Sequence, residues 1–382
     1  KKYLIYVLLA TVCDVMPLRK LNRLISISAL KKFKINDSTV IAELYKLTNK
    51  NNKININDLS YLIGPILNAG GRLGKSNLAT ELLSTDNHKI INQKSLELIN
   101  LNNKRRKIEF AILEDIDFNK LGNDSKEIII YYNPSINEGL IGIIASRLKD
   151  YFNRPSIVIT YSNNILKGSA RSVYEYNIGR AIKKSLDKKL ILNGGGHSMA
   201  AGFSLKKETL SEFKKFINKD FSKNKTFINN FFNYDAEISP TAFNKDFYND
   251  INKIGPFGTG NPIPIFLFKD LKVIKTSILG EKHISCILKS KIGRSINSIA
   301  FDSINSEIGK YLLNYKKNLN VIGQINENFW NNKRTLQLII KDVILWFIMD
   351  LIIKDFSNKR PQNGPFVYRL GHVVFILERG VR

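Results

Sequence analysis

Asn193-Gly-Gly-Gly-His-Ser-Met-Ala-Ala-Gly202 is the most specific string in the chain. Three consecutive glycines let backbone amides converge on an anion without steric cost, and His197 follows at once with a hydrogen bond or a charge to add. The string predicts a nest for phosphate or carboxylate built from Gly194, Gly195, Gly196 and His197, with Ala200, Ala201 and Gly202 small enough for close packing. A plain loop with a structural histidine fits the same letters, so the neighbouring residues decide. Leu166-Lys-Gly-Ser-Ala-Arg-Ser172 supplies them. In a strand, Ser169 and Arg171 point to one face. A hydroxyl beside a guanidinium suits a phosphodiester.

Outward from these strings, Glu127–Lys219 reads as an α/β unit. Ile128–Tyr132 is a strand, Leu140–Tyr151 a helix, Ser156–Thr160 a second strand, Leu166–Ser172 a third, and a final helix runs near Glu208–Lys219. Upstream, no Pro or Gly interrupts Ser76–Lys120, and Leu96, Ile99, Ile108, Ile112 and Leu113 recur at helical spacing. That predicts a long connecting helix. Before it, Tyr3–Val12 reads as a buried strand with Asp14 at its end, followed by helical stretches and a glycine-rich turn, Ile63-Gly-Pro-Ile-Leu-Asn-Ala-Gly-Gly-Arg-Leu-Gly74. Arg72, between glycines, can reach a closely approaching phosphate. Carboxylates at strand ends often hold metal ions, which makes Asp14 a candidate ligand. One carboxylate cannot make a two-metal site, and the sequence has no Asp-His-His or adjacent histidine pair.

Downstream the pattern changes to short strands: Ile265–Phe268, Leu271–Leu279, Ile284–Leu288, Ile296–Phe301, Asn320–Ile325 and Leu336–Val343. They suit a small barrel of the OB type, with a β-sandwich as the alternative. Ile254–Pro262 opens this region, and its Phe257 either stacks on a base or plugs the core.

Composition sets limits. Lys plus Arg exceed Asp plus Glu by 59 − 33 = 26, which points to a polyanion, most simply nucleic acid. Lys, Asn and Ile share A/T-rich codons, so the charge alone does not carry that conclusion. The 43% hydrophobic content is globular. Cys13 and Cys286, far apart, exclude a disulfide scaffold and a cysteine zinc cluster and suit a reducing compartment. Tyr3–Val12 and Val343–Ile353 are too short to span a bilayer. Past residue 344 lysine loses its lead over arginine, and Arg360–Arg382 reads like different coding material.

Seven strings in order resemble the RecJ exonuclease family of the DHH phosphoesterase superfamily. They are Ala10–Leu18 with Asn22-Arg23, Gly64–Gly74, Glu138–Thr160, Leu166–Ser172, Gly194–Gly202, Gly255–Pro264 and Leu336–Val343. The resemblance implies an α/β multidomain chain. The C-terminal part of a DHH domain occupies 1–83, a connecting helix region 84–121, a DHHA1 α/β domain 122–225 and an OB-type β-barrel 226–344, and the atypical tail 345–382 reads as non-native. It implies single-strand-specific 5′→3′ hydrolysis of DNA in repair and recombination, with two Mn²⁺ or Mg²⁺ ions and a channel too narrow for duplex.

Residue by residue, Asp14 matches a metal-binding Asp of that family, and Arg72, Ser169 and Arg171 match positions expected to hold DNA phosphates. His197, with Gly194, Gly195 and Gly196, is expected to bind phosphate rather than metal. Arg154 is a looser match, in Asn153-Arg-Pro155. The family's upstream Asp motifs and its Asp-His-His motif are missing, so no catalytic set is complete in this chain. The expectation is an N-terminally truncated fragment that binds single-stranded DNA without cutting it. Cys13 and Gly70 stand where the family usually has Ala. The resemblance further implies a cytoplasmic monomer, with no membrane, working with single-strand-binding protein and helicase. Two alternatives stay open. One is a DHH–DHHA1 phosphodiesterase for short oligonucleotides or cyclic dinucleotides, which would not need the β-rich region. The other is a non-catalytic single-strand-binding module.

Overall fold

The computed structural model describes residues 3–125, 127–174, 176–224, 234–314, 317–330, 333–345, 366–370 and 373–377. The chain divides into two compact units, Lys1–Asp14 with Ser28–Phe227, and Val15–Ile27 with Ile228–Arg382.

The first unit begins with helices: α1 (Leu4–Cys13), α2 (Lys20–Lys32, which runs across the boundary between units), α3 (Thr39–Leu47) and the single turn α4 (Ile56–Asp58). A π-helical turn, Leu59–Ile63, leads into α5 (Gly64–Arg72), and α6 (Asn77–Ser84) follows. Two expectations fail here. Tyr3–Val12 is not a strand but lies largely within α1, which buries Ile5, Leu8 and Leu9 at helical spacing. An apolar run of this length suits either conformation, and here the run packs as a helix. Asp14 is therefore the exposed C-cap of a helix rather than the end of a strand. The glycine-rich turn is α5, started by Pro65 in its first turn.

The connecting helix is as expected. α7 (His88–Glu114) runs 27 residues, about 40 Å, and Asn87 caps its start by accepting from the N–H groups of Lys89 and Ile90. A short α8 (Phe118–Asp124) then enters the sheet domain. Its elements are β1 (Ile129–Tyr132), α9 (Ile141–Phe152), β2 (Ser156–Ser162), β3 (Ile165–Arg171), α10 (Ile178–Asp187), β4 (Asn193–His197), β5 (Ala200–Leu205) and α11 (Leu210–Asn224). The strand order is β1-β2-β3-β5-β4, with β1 and β2 parallel around α9 and the other pairs antiparallel. Alternation along β2 explains the two cores: Ile157 and Ile159 pack with α10 and α11, whereas Val158 packs with Ile141, Ile144 and Leu148 of α9. The glycine string is not a nest. It forms β4, an edge strand paired to β5.

The second unit holds β6 (Ala236–Glu237), α12 (Lys245–Lys253), β7 (Phe266–Leu279), β8 (His283–Ser290), β9 (Ser295–Ala300), α13 (Glu307–Asn314), β10 (Leu319–Trp330) and β11 (Lys333–Leu345), and a hairpin of β12 (Phe366–Leu370) and β13 (Val373–Leu377). Pairing of β10 with both β11 and β7 closes strands β7 to β11 into a barrel and settles the choice against a sandwich. The two segments 265–268 and 271–279 prove to be one strand, β7, which carries a left-handed residue at Asp270 (φ 57°). Phe257 packs against the barrel core, so core contact is the role the structure gives it. Its loop is held by Arg23, whose Nη2 donates to the carbonyl oxygens of Ile254 (2.6 Å) and Gly255 (3.1 Å). Among the described residues no helix is long and apolar enough to cross a membrane.

Candidate phosphate site

β3 brings Ser169 and Arg171 to one sheet face, as their spacing requires. Leu166 and Ala170 point into the opposite core. Arg171 Nη1 donates to Ser169 Oγ at 3.1 Å and to the carbonyl oxygen of Ala170 at 2.9 Å. The first turn of α9 lies over this pair. A Cβ built on Gly142 would stand 3.0 Å from Arg171 Nη2 and 3.2 Å from Ser169 Oγ. Leu140 supplies no side-chain cap, and the N–H groups of Ile141 and Gly142 have no partner among the described residues. Two free amides, a hydroxyl and a guanidinium therefore converge where the positive end of a helix adds to their charge.

Arg72 completes the cluster from the end of α5. Its Nη1 donates to the carbonyl oxygen of Gly139 at 3.2 Å. The approach is close because residue 139 lacks a side chain: a Cβ there would lie 2.3 Å from the Arg72 carbonyl oxygen. Burial loosens the Arg171 proton, and the charge of Arg72 adds to the effect. Burial likewise lowers the Arg72 pKa, with Arg105 adding to it and Glu109 opposing. Both groups stay protonated at neutral pH, because arginine starts so high. The charge of Arg72 thus reaches Arg171.

The register carries the site across the sheet. Ser169, Gly202 and Gly195 lie in one cross-strand row, and Arg171, Ala200 and His197 in the next. His197 thus shares a face with Arg171 two strands away, about 10 Å at the usual strand spacing. Between them lies a floor of small residues: nothing comes within 4 Å of a Cβ built on Gly195, and only one atom, at 4.0 Å, meets one on Gly202. Gly194 and Gly196 face the other way, where a Cβ would strike Ile182 or the Ala200 backbone.

Arg154 does not join this cluster. Its Nε donates to the carbonyl oxygen of Glu127 (3.1 Å) and its Nη2 to that of Ser125 (2.8 Å), which ties down the entry to β1. Asp14 stands without the ligands a metal needs. Among the described residues no three His, Cys, Asp or Glu side chains lie close enough to hold an ion, so the residues present do not fit a two-metal centre.

Sequence reasoning missed Gly139 and Gly142, whose signal is a pair of glycines three apart at a helix start. It also missed the buried carboxylate Glu109, which accepts from Arg105 Nη1 and Arg147 Nε, each at 2.8 Å. The i, i+4 spacing of Arg105 and Glu109 was the visible half of that network.

Two family models match in order: the DHHA1 domain over residues 125–223 and the RecJ OB domain over 234–342. The single-stranded-DNA-specific exonuclease RecJ of Haemophilus influenzae is 31% identical over 349 residues, which cover 87% of this chain and 60% of that protein. The RecJ of Bacillus subtilis is 26% identical, covering 90% of this chain and 44% of the relative. The chain thus spans about half the length of these relatives. The crystal structure of Thermus thermophilus RecJ in complex with Mn²⁺ superposes with a TM-score of 0.75 at 23% identity, over 95% of this chain and 51% of that one. That likeness shows a common fold.

Proposed function

The chain belongs to the RecJ family, and from that premise we propose that its DHHA1 sheet holds the sugar–phosphate backbone of single-stranded DNA. The observation that carries the reading is the convergence of the half-buried Arg171, Ser169 Oγ and the uncapped amides of Ile141 and Gly142 at the bare Gly142, with Arg72 held beside them at Gly139. A phosphate seated there accepts from Arg171 Nη2, from the amides of Ile141 and Gly142, and from Arg72. The next stretch of backbone lies on the floor of Gly195, Gly202 and Ala200, with His197 donating from the far side. Arg154 acts on the protein's own backbone in this reading and contributes to binding only through the shape of the domain.

The whole protein would then be a 5′→3′ exonuclease of DNA repair and recombination, hydrolysing phosphodiesters with two Mn²⁺ or Mg²⁺ ions. Those ions would supply the activated water and stabilise the leaving oxygen. Asp14 would give one ligand, and the remainder would come from residues outside this chain. The chain alone binds and does not cut. Its domains would divide at 83, 121, 225 and 344, and the protein would work as a cytoplasmic monomer beside single-strand-binding protein and a helicase. These assignments rest on the resemblance to RecJ.

Fluorescence anisotropy of a 5′-phosphorylated, internally labelled single strand with Mn²⁺ tests the reading, with the matching duplex as control. The expected result is a stable rise, larger for the single strand than for duplex. A rise that decays below its starting value would show cleavage by the chain alone, and equal binding of both strands would remove the single-strand assignment.

A further inference from the structure

His197 is exposed, and no described side chain or backbone group bonds its ring. Its place over the floor is therefore set by its main chain. That main chain is gripped from both sides. The N–H of Ile178 donates to the Ser198 carbonyl oxygen at 3.1 Å, and the N–H of Ser172 to that of Met199 at 2.9 Å. Between these contacts lies Gly179, the second residue of α10. A Cβ built on it would stand 2.6 Å from the carbonyl oxygen of His197, 2.9 Å from its carbonyl carbon and 3.0 Å from that of Gly196. Gly179 sits in an ordinary helical turn, so backbone conformation does not demand a glycine there; the close approach to β4 does.

α10 has no room to retreat. Ile178, Ala181 and Ile182 are buried in the core beneath the sheet, and Ile182 lies against Gly194, where a Cβ would come within 2.8 Å of it. A methyl group at position 179 must therefore move the end of β4 instead of the helix.

We propose that Gly179 is a positioning residue for His197: the bare first turn of α10 seats the β4 backbone so that the imidazole faces Arg171 across the floor. The proposal rests on the reading of His197 as a phosphate contact.

The test is a double-mutant cycle on the full chain, with wild type, Gly179→Ala, His197→Ala and the double variant titrated against a labelled 5′-phosphorylated oligothymidylate. His197→Ala is expected to weaken binding. Gly179→Ala is expected to weaken it about fivefold, and that loss should vanish in the His197→Ala background. The His197 ring signals in an NMR spectrum should shift in Gly179→Ala. If Gly179→Ala binds as wild type does, or its loss adds in full to that of His197→Ala, the proposal is overturned. If His197→Ala alone binds as wild type does, the phosphate role of His197 is what has failed, and the positioning role falls with it. Should Gly179→Ala not fold, hydrogen exchange on the wild-type chain poses the same question: exchange of the Ile178 N–H, which holds Ser198, should slow when the oligothymidylate binds and should not slow in His197→Ala. Equal exchange with and without the oligothymidylate would overturn the proposal.

Discussion

Helix α5 and strand β4 are both rich in glycine, and in both the glycines fall into two kinds. In α5, a Cβ on Gly64 would lie 2.7 Å from Cys13 Sγ and one on Gly70 would lie 2.6 Å from the Lys75 carbonyl oxygen, whereas one on Gly71 would meet nothing. In β4, Gly194 and Gly196 are hemmed in and Gly195 is open. The difference lies in what the open glycine faces. Gly71 is an exposed helix position. Gly195 is the end of a bare row that leads through Gly202 to Ser169. Close approach explains the hemmed glycines of both elements, and only in β4 does an open glycine share a cross-strand row with Ser169.

Substitutions can break this comparison at several strengths. The largest effect is expected at Gly196, where a Cβ would stand 2.3 Å from the Ala200 carbonyl oxygen. Gly196→Ala should cost about 3 kcal/mol of stability, read from urea unfolding midpoints. Arg171→Ala comes next, and should weaken single-strand binding by about 2 kcal/mol through loss of a charge-assisted hydrogen bond, with little change in the unfolding midpoint.

Gly142→Ala separates binding from folding. Its methyl group would enter the space between Arg171 Nη2 and Ser169 Oγ. Affinity should fall about tenfold while helix stability holds or rises by up to about 1 kcal/mol. A variant that loses stability and binding together would place Gly142 in the packing and not in the site. The smallest effect belongs to Gly71→Ala, expected to stabilise by about 0.5 kcal/mol and to leave affinity unchanged. Gly195→Ala should match it in keeping the fold, and a measurable loss of affinity there would sharpen the contrast between the two open glycines.

Much of this was legible from residue spacing. Period-two alternation, clear in β8, survives whatever the closure, so every barrel strand was located, although β10 and β11 run beyond the segments read for them and 265–268 and 271–279 are one strand. Ser169 and Arg171 share a face for the same reason. The readings that failed have physical causes. Tyr3–Val12 is apolar on every side, so it has no period to distinguish helix from strand, and its burial of Ile5, Leu8 and Leu9 appears only with its neighbours in place. Glycine strings signal freedom of the backbone, yet here they serve proximity: α5 and β4 have regular conformations, and the tight contacts of Gly70 and Gly196 come from residues outside or across the element. Gly139 and Gly142 act through Arg72 and Arg171, both distant in sequence, so no local pattern revealed them. Arg154 shows the reverse case, where a residue noted from a motif is occupied by the domain's own carbonyl groups.

The central claim is that Arg171 and its neighbours hold a DNA phosphate, and the salt dependence of single-strand affinity tests it most directly. Anisotropy titrations of wild type and Arg171→Ala at several salt concentrations give the slope of log K against log salt. The account predicts that the variant binds more weakly and that its slope is shallower by about 0.7, the value for one phosphate contact on a single strand. Equal slopes and equal affinities would contradict it.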